Sequence, residues 1–347
     1  MAPTGDKTGF KPKAIVRKLL QSLPERSRTV LEARFGLGAL PERVTLESIG
    51  KKYGITRERV RQIENHALAS LKKSPAFGEA EAAFHELERI VDSLGGIVCE
   101  DDLLNFITKD KSMQNHIYFL LVLGDSFKYK KEDDEINRCW YVDPELATKV
   151  ESALKNLYEG LSDEDLIPEG DMIDRFLKEL QEINDKHRND EVIKRWLKIS
   201  KKVGKNPLGE WGQAHSSNVR TKGIRDYAYL AVKKHGSPLH FKEVSALIEK
   251  MFNRAAHVAT THNELIKDDR FVLVGRGMYA LKEWGYAEGV VRDVIRNILR
   301  EAGPLTREQI VEKVLKERHV KPGTVVVNLQ NQKYFKRGKD GKFTLLK

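Results

Sequence analysis

The sequence has little cysteine and no long apolar run. Its 347 residues include two cysteines, Cys99 and Cys139, and neither lies in a CxxC or HExxH pattern. A disulfide scaffold needs more cysteines, and a structural zinc site needs closely spaced ligands, so both classes are excluded. No apolar run is long enough to span a membrane, and the N-terminus lacks the hydrophobic segment of a signal peptide. These absences predict a cytoplasmic protein with no membrane partner.

Signatures of nucleotide binding and of catalysis are also absent. The glycines at 275–277 fall in a predicted hairpin and those at 36–38 follow a predicted helix, so neither set predicts a phosphate-binding loop. The serines, histidines and carboxylates show no nucleophile elbow and no metal-ligand spacing. The sequence therefore predicts a protein that is not an enzyme and that has no cofactor, no metal and no small-molecule substrate.

Basic residues are in excess. There are 61 Lys+Arg against 51 Asp+Glu, which gives a net charge of +10 and a sequence pI near 9.3. Such a surplus attracts phosphate and favours a nucleic-acid partner, although many soluble proteins are mildly basic. The length is about twice that of a usual domain, which predicts several small domains.

Residues 45–71 predict two short helices joined by a glycine turn. Thr45 and Thr56 are good N-caps, and Gly54 permits the sharp turn between the helices. The exposed face of the second helix carries Arg57, Glu58, Arg59, Arg61 and Gln62. These residue types suit the major groove, where arginine pairs with guanine, glutamine with adenine, and glutamate with cytosine. A charged face can be merely solvated, but its position directly after a capped glycine turn favours a DNA-reading helix-turn-helix.

Two segments carry a family resemblance. LPERSRTVLEARFGLG at 23–38 and VTLESIGKKYGITRERVRQIENHALASLKK at 44–73 resemble region four of the housekeeping-type bacterial sigma factors, which reads the −35 promoter element. The resemblance implies a helix-turn-helix domain over 13–75 that binds double-stranded DNA and docks on the flap of the RNA polymerase β subunit. It implies base-reading residues at Arg57, Glu58 and Gln62, and phosphate contacts at Thr45, Leu46, Glu47, Arg59, Arg61 and His66. His66 replaces the lysine or arginine common in the family, so its contact depends on the charge of the imidazole.

The regions before and after this domain predict a tail and further helical units. Residues 1–12 are polar and basic, which predicts a disordered tail. Residues 80–143 predict three helices and a hairpin with an acidic tip, a degenerate winged helix suited to packing or protein contact because the tip repels phosphate. Residues 144–223 predict a helical spacer and linker, in which we expect Trp211 to pack against the following domain.

Two winged helices are predicted at the C-terminus, over 224–286 and 287–347. GSPLHFKEV and FVLVGRGMYALKEWG resemble the N-terminal winged helix of the RNA polymerase delta subunit, and HGSPLHFKEV and AGPLTREQIV indicate a weak internal repeat. We predict secondary DNA contacts at Thr261, His262, Asn263 and Arg276 in the first copy and at Lys333, Lys336, Arg337 and Lys339 in the second. The alternative is that these residues only shape the fold or are solvated.

The sequence thus predicts a mainly α, multi-domain protein with an N-terminal helix-turn-helix and several winged helices. The leading hypothesis is a sequence-specific DNA-binding transcription protein at the nucleoid that reads a −35-like element and acts with RNA polymerase, as a sigma-like factor or an initiation regulator. The alternative is an accessory protein that docks on the polymerase through its sigma-like and delta-like domains without reading a promoter. A DNA-binding protein of a phage or mobile element is a third possibility.

Overall fold

The chain is mostly helical, with small antiparallel sheets. The computed structural model describes residues 8–180, 184–286, 291–318, 320–338 and 340–346. The helices and small sheets in these ranges confirm the predicted mainly α fold class. Two compact units divide the chain, the first over Met1–Gly204 and Trp211–Ala214 and the second over Lys205–Glu210 and His215–Lys347. Among the described helices, none is both long and apolar enough to cross a bilayer.

Four helices begin the first unit. They are α1 (Pro12–Gln21), α2 (Glu25–Phe35), α3 (Leu46–Tyr53) and α4 (Arg57–Lys72). A small apolar cluster around Val30, Ile49 and Val60 holds α2, α3 and α4 together. Of the predicted tail, residues 1–7 lie outside the described residues, whereas Phe10 is half-buried and packs on the main core of this unit.

The next elements follow the order helix, strand, helix, helix, strand, strand. After the short α5 (Pro75–Glu79) they are α6 (Glu81–Ser93), β1 (Ile97–Cys99), α7 (Glu100–Ile107), α8 (Lys111–Leu123), β2 (Lys128–Lys130) and β3 (Cys139–Tyr141). The strands form an antiparallel sheet in the order β1-β3-β2. The assignment of residues 80–143 as a degenerate winged helix stays a prediction. Strand β1 was not predicted, because its three residues are too few to show the alternation of apolar and polar residues that marks a strand.

One apolar core joins the helix-turn-helix to this second set of elements. It contains Leu19, Leu31, Phe35 and Leu71 from the first four helices and Leu87, Ile117, Phe119 and Leu120 from α6 and α8. The rings of Phe35 and Phe119 meet edge to face with their centroids 5.1 Å apart, a favoured aromatic geometry. Helix α8 is therefore buried against α1 and α2.

The rest of the first unit has a core of its own. Its elements are α9 (Pro144–Glu159), α10 (Glu169–Glu179), α11 (Asp190–Leu197), β4 (Val203–Lys205) and β5 (Trp211–Gln213). Trp211 is buried in this core, so the prediction that it packs against the following domain was wrong. The reason is a pair of backbone hydrogen bonds with Ile167, at 2.7 and 2.8 Å, which hold Trp211 against the preceding helices. The acidic hairpin tip is also held here, because Glu132 pairs with Lys201 at 2.5 Å.

The second unit contains two sets of helices and strands, called here the first and the second copy. The first copy comprises α12 (Ile224–His235), β6 (Leu239–His240), α13 (Phe241–Phe252), α14 (Val258–Lys267), β7 (Phe271–Leu273) and β8 (Met278–Leu281). The second comprises α15 (Val291–Ala302), α16 (Arg307–Glu317), α17 (Pro322–Leu329), β9 (Phe335–Arg337) and β10 (Phe343–Leu345). In the first copy Leu239 lies opposite Tyr279, and in the second Leu305 bridges to Phe343. The weak sequence repeat therefore places an equivalent leucine beside the last strand of each copy.

Candidate nucleic-acid interface

Helix α3 begins at a well-formed cap. The Thr45 hydroxyl accepts a hydrogen bond from the Ser48 amide at 3.2 Å, which satisfies one of the free N–H groups of the first turn. Glu47 is exposed, and Leu46 is half-buried beside the apolar cluster that joins α2 to α4. The Leu46 side chain packs on this apolar cluster. The group that Leu46 can offer to a phosphate is therefore its backbone amide.

The turn between α3 and α4 depends on two glycines. Gly54 adopts the left-handed conformation with φ of 65° and ends α3, as the sequence predicted. Gly50 was not predicted: a Cβ atom at this position would lie 2.6 Å from the carbonyl oxygen of Ile55. The Ile55 amide also donates to the Gly50 carbonyl at 3.0 Å. The two helices thus approach each other so closely that Gly50 has no room for a side chain.

Helix α4 presents the predicted reading residues together. The Thr56 hydroxyl caps it by accepting from the Arg59 amide at 3.1 Å. Val60, Ala67 and Leu71 are fully buried and fix the rotation of the helix. The exposed residues of its first two turns are Arg57, Glu58, Arg59, Arg61 and Gln62, with His66 exposed one turn further on. All three predicted base-reading side chains therefore reach solvent from the N-terminal half of one helix.

Two pairs within α4 engage these side chains. Arg61 Nη2 donates to Glu58 Oε1 at 2.7 Å, and Arg59 Nη1 donates to Gln62 Oε1 at 2.9 Å. The hydrogen bond from Arg61 lowers the pKa of Glu58, and the same bond raises the pKa of Arg61. Since these are exposed pairs three residues apart, they are easily exchanged for contacts with DNA. Among the described residues, no hydrogen bond or ion pair holds the Arg57 side chain.

A partly buried ion pair supports α4 from the side of α2. Arg34 Nε lies 3.6 Å from Glu64 Oε1, whose side chain is 14% exposed. Burial raises the pKa of Glu64, and the Arg34 charge offsets part of that rise. Arg34 also donates to the Val44 carbonyl at 3.4 Å, just before the cap of α3. This arginine therefore links α2 to α4 and to the segment that leads into α3.

A buried asparagine of α8 fixes the loop that leads into α3. Asn115 Nδ2 donates to the carbonyls of Gly36 at 3.1 Å and Pro41 at 2.8 Å, and its Oδ1 accepts from Arg43 Nε at 2.9 Å. The Arg43 guanidinium lies 3.8 Å from the centre of the Tyr118 ring, and burial lowers the pKa of Arg43. Sequence reasoning missed this residue, because nothing local marks a polar residue of an apolar helix as a contact with a distant loop.

The predicted contacts of α14 do not form one reading face. Thr261 was predicted to be exposed, and this was wrong: it is fully buried, because α14 turns this side toward α12 and α13. His262 is half-buried and stacks on Phe241, with ring centroids 4.2 Å apart. Asn263 and Arg276 are exposed. Packing thus accounts for two of the four residues predicted in this copy.

The C-terminal hairpin keeps its basic side chains in solvent. Lys336 and Arg337 lie exposed on β9, and Lys333 is exposed in the turn before it. Lys339, which was also predicted, lies outside the described residues. Three cations near one hairpin suit a phosphate backbone.

The described residues contain no cluster of side chains suited to bind a metal ion. Among them, no group of three or more histidine, cysteine, aspartate or glutamate side chains is placed to hold an ion.

The N-terminal segment is similar to known transcription proteins. A family model described as Sigma-70, region 4 matches residues 19–73, which confirms the predicted resemblance of this segment. RNA polymerase sigma factor RpoD of Helicobacter pylori is 47% identical over 66 residues, covering 19% of this chain and 10% of that protein. The principal sigma factor HrdD of Streptomyces coelicolor is 47% identical over 55 residues, 16% of each chain. RNA polymerase sigma factor SigA of a Bacillus species is 52% identical over 54 residues, 16% of this chain and 14% of that protein.

The similarity is local. The chain spans between 10% and 16% of the length of these curated relatives. The predicted resemblance of residues 224–286 to the delta subunit stays a prediction.

Proposed function

We propose that this protein is a sequence-specific double-stranded DNA-binding transcription protein that acts with RNA polymerase, reading a −35-like promoter element through α4. Arg57, Glu58 and Gln62 would contact base edges, while Arg59, Arg61 and the N-terminal turn of α3 would hold phosphates. The observation that carries this proposal is the capped α4 with its exposed reading residues, within the segment matched by the sigma model. The role is binding without a catalytic step, in the cytoplasm at the nucleoid.

Selection from a randomised duplex pool tests this reading. The full chain should enrich one motif, and Arg57→Ala should lose about 1–3 kcal/mol of binding and its preference at one base pair. Lys336→Ala should weaken binding to all sequences alike. It should also reduce the slope of log K against log salt concentration by about one, because one phosphate contact is lost. Arg26→Ala, which removes an exposed arginine of α2, is the control and should retain both affinity and motif. Equal losses on every sequence for Arg57→Ala and Lys336→Ala would contradict the assignment of base reading to α4.

A second candidate is polymerase docking without promoter reading. The observation that favours it is a pair of exposed large apolar side chains in the first copy of the second unit, Ile266 on α14 at 62% exposure and Leu273 on β7 at 50% exposure. Exposed apolar residues on a helix with one lysine and no arginine suit a protein partner better than DNA. In the first unit, the apolar face of α1, α2 and the end of α4 is covered by α8. A polymerase flap that docks on this domain therefore either displaces α8 or uses another surface.

Retention of purified RNA polymerase on the immobilised full chain tests this candidate. Ile266→Ser should reduce retention. The control is Val327→Ser on α17, where the replaced apolar side chain is 67% exposed, and this variant should retain polymerase as the wild type does. Polymerase that passes the wild-type chain unretained would contradict this candidate and the polymerase part of the first proposal, and would leave DNA binding through α4 as the function. Retention without any enriched DNA motif would favour docking alone.

A further inference from the structure

Two thiols face each other across the sheet of the first unit. Cys99 ends β1 and Cys139 begins β3, and the antiparallel register places them directly opposite. Their Sγ atoms are 3.9 Å apart. These are the only two cysteines among the 347 residues.

The hydrogen-bond pattern of the sheet defines the type of this pair. The Val142 amide donates to Gly96, and the Glu100 amide donates to Arg138. Because hydrogen-bonded and non-hydrogen-bonded pairs alternate along an antiparallel ladder, Cys99 and Cys139 form a non-hydrogen-bonded pair. In such pairs the Cα atoms are about 4.5 Å apart, which lies within the range of about 4.4–6.8 Å that a disulfide spans. Closing the bond thus needs rotation of the side chains and little movement of the backbone.

The two cysteines have unequal environments. Cys99 is half-exposed and lines a cleft of about 350 Å³ together with Asp101, Arg138 and Lys198. Cys139 is buried, and its thiol lies within hydrogen-bonding distance of the Cys99 sulfur and, at 3.1 Å, of the Asn137 carbonyl. The contact with Cys99 and burial raise the pKa of Cys139. Cys99 is therefore the sulfur that a solute reaches first, with Cys139 held behind it as a protonated thiol.

We propose that Cys99 and Cys139 are a modification site at which hydrogen peroxide forms an intramolecular disulfide. The Cys99 thiolate attacks one peroxide oxygen and breaks the O–O bond, which gives a sulfenic acid and hydroxide. The Cys139 sulfur then attacks the sulfenic sulfur, its proton is lost, and the second hydroxide leaves. With hydrogen peroxide, two thiols and one peroxide give one disulfide and two waters, so the thiols are oxidised and the peroxide is reduced. The site does not depend on the proposed DNA-binding function.

The bond would close a loop that contains α7, α8 and β2. Helix α8 is the element on which α1 and α2 pack, and crosslinking this loop restricts the unfolded chain. Oxidation should therefore raise the midpoint of thermal unfolding of the first unit by roughly 5–10 °C. The reading face of α4 is not part of the loop, so DNA affinity should change by less than about twofold.

Thiol counting on the full chain tests the proposal. After treatment with hydrogen peroxide, quenching and unfolding, maleimide labelling should find no free thiol, the chain should remain monomeric on a non-reducing gel, and dithiothreitol should restore both thiols. The reaction should be faster in the folded protein than in urea, by on the order of tenfold, because the fold holds the sulfurs together. Two free thiols after treatment, a disulfide between chains, or equal rates in folded and unfolded protein would each overturn the proposal.

Two single variants separate the roles of the sulfurs. In Cys139→Ser, the Cys99 sulfenic acid has no internal thiol to react with and should be captured by dimedone. In Cys99→Ser, the buried Cys139 should give little or no dimedone adduct while the protein is folded. Capture at Cys139 instead of Cys99 would reverse the proposed order of attack. The wild-type thiol count decides the disulfide itself, even if one variant folds poorly.

Discussion

Gly50 and Gly54 permit the same turn for different physical reasons. A side chain on Gly50 would meet the backbone of Ile55, which cannot move without separating α3 from α4. Gly54 has open space around it and is limited by its positive φ alone. Packing therefore restricts the first glycine, and backbone conformation restricts the second.

Substitutions at these glycines should separate the two effects. Gly50→Ala should destabilise the helix pair by about 1–3 kcal/mol through overpacking, and Gly54→Ala by about 1–2 kcal/mol through left-handed strain. Gly54→Asn should cost less than Gly54→Ala, because asparagine adopts this conformation more readily, whereas Gly50→Asn should cost at least as much as Gly50→Ala. Hydrogen exchange of the α3 and α4 amides measures the local opening. A smaller loss for Gly50→Asn than for Gly50→Ala would contradict the packing argument.

Glu64 and Glu58 should respond to pH in opposite directions. Burial raises the pKa of Glu64 above its ordinary value of 4.5, so the folded state holds this proton more tightly than the unfolded state. The contribution of Glu64 to the free energy of unfolding is complete below the pKa that Glu64 has in the unfolded chain. It is lost as pH rises through the pKa that Glu64 has in the folded protein. Relative to wild type, Glu64→Gln should therefore gain stability as pH rises through the pKa of Glu64, by less than about 1 kcal/mol.

The matched control is Glu58→Gln on the same helix. The hydrogen bond from Arg61 lowers the pKa of Glu58, so its contribution is present above the unfolded pKa and is lost as pH falls through the folded pKa. This variant should lose stability relative to wild type as pH rises from 3 to 5. Thermal melting of both variants and of wild type from pH 3 to 7 measures both effects. A Glu64→Gln profile parallel to that of Glu58→Gln would show that burial does not dominate at Glu64.

At the scale of elements, Asn115 connects α8 to the loop between α2 and α3. Asn115→Ala would leave the carbonyls of Gly36 and Pro41 and the Arg43 Nε without this partner, which should cost about 1–3 kcal/mol or more. Because this loop leads to the cap of α3, the change should also weaken DNA binding. Asn156→Ala on α9 is the matched control, since Asn156 is exposed. Equal melting temperatures for the two variants would show that the loop is held by other contacts.

The sequence predicted local features of the site well and long-range ones poorly. Thr45, Gly54 and Thr56 were predictable because a cap and a left-handed turn depend on neighbouring residues. The burial of Thr261 was not, because both faces of α14 carry polar residues and packing on α12 and α13 decides which face is inside. Asn115 was missed for the same reason: its partners are more than 70 positions away in sequence.

At the scale of the whole molecule, the sigma-like segment shares its apolar core with the elements that follow it. Leu31 and Leu71 are fully buried and Phe35 nearly so, in a core completed by α6 and α8. Burying each such side chain contributes roughly 1.5–3 kcal/mol. Several of them together approach the total stability of a small domain, which is about 5–15 kcal/mol. A fragment ending at residue 75 would expose this face to water.

Fragments that end before and after α8 should therefore differ in folding and in DNA binding. Residues 1–75 alone should be largely unfolded or should aggregate, whereas residues 1–214 should melt cooperatively and bind DNA in an Arg57-dependent way. Circular dichroism and analytical ultracentrifugation measure the first difference, and fluorescence anisotropy with a duplex measures the second. Phe119→Ala in the 1–214 fragment weakens the shared core without shortening the chain, because it removes the ring that packs on Phe35. It should lower the free energy of unfolding by about 3–5 kcal/mol. A soluble, cooperatively folded 1–75 fragment with full affinity would show that the shared core is dispensable. In that case α8 covers a surface that the helix-turn-helix can leave exposed.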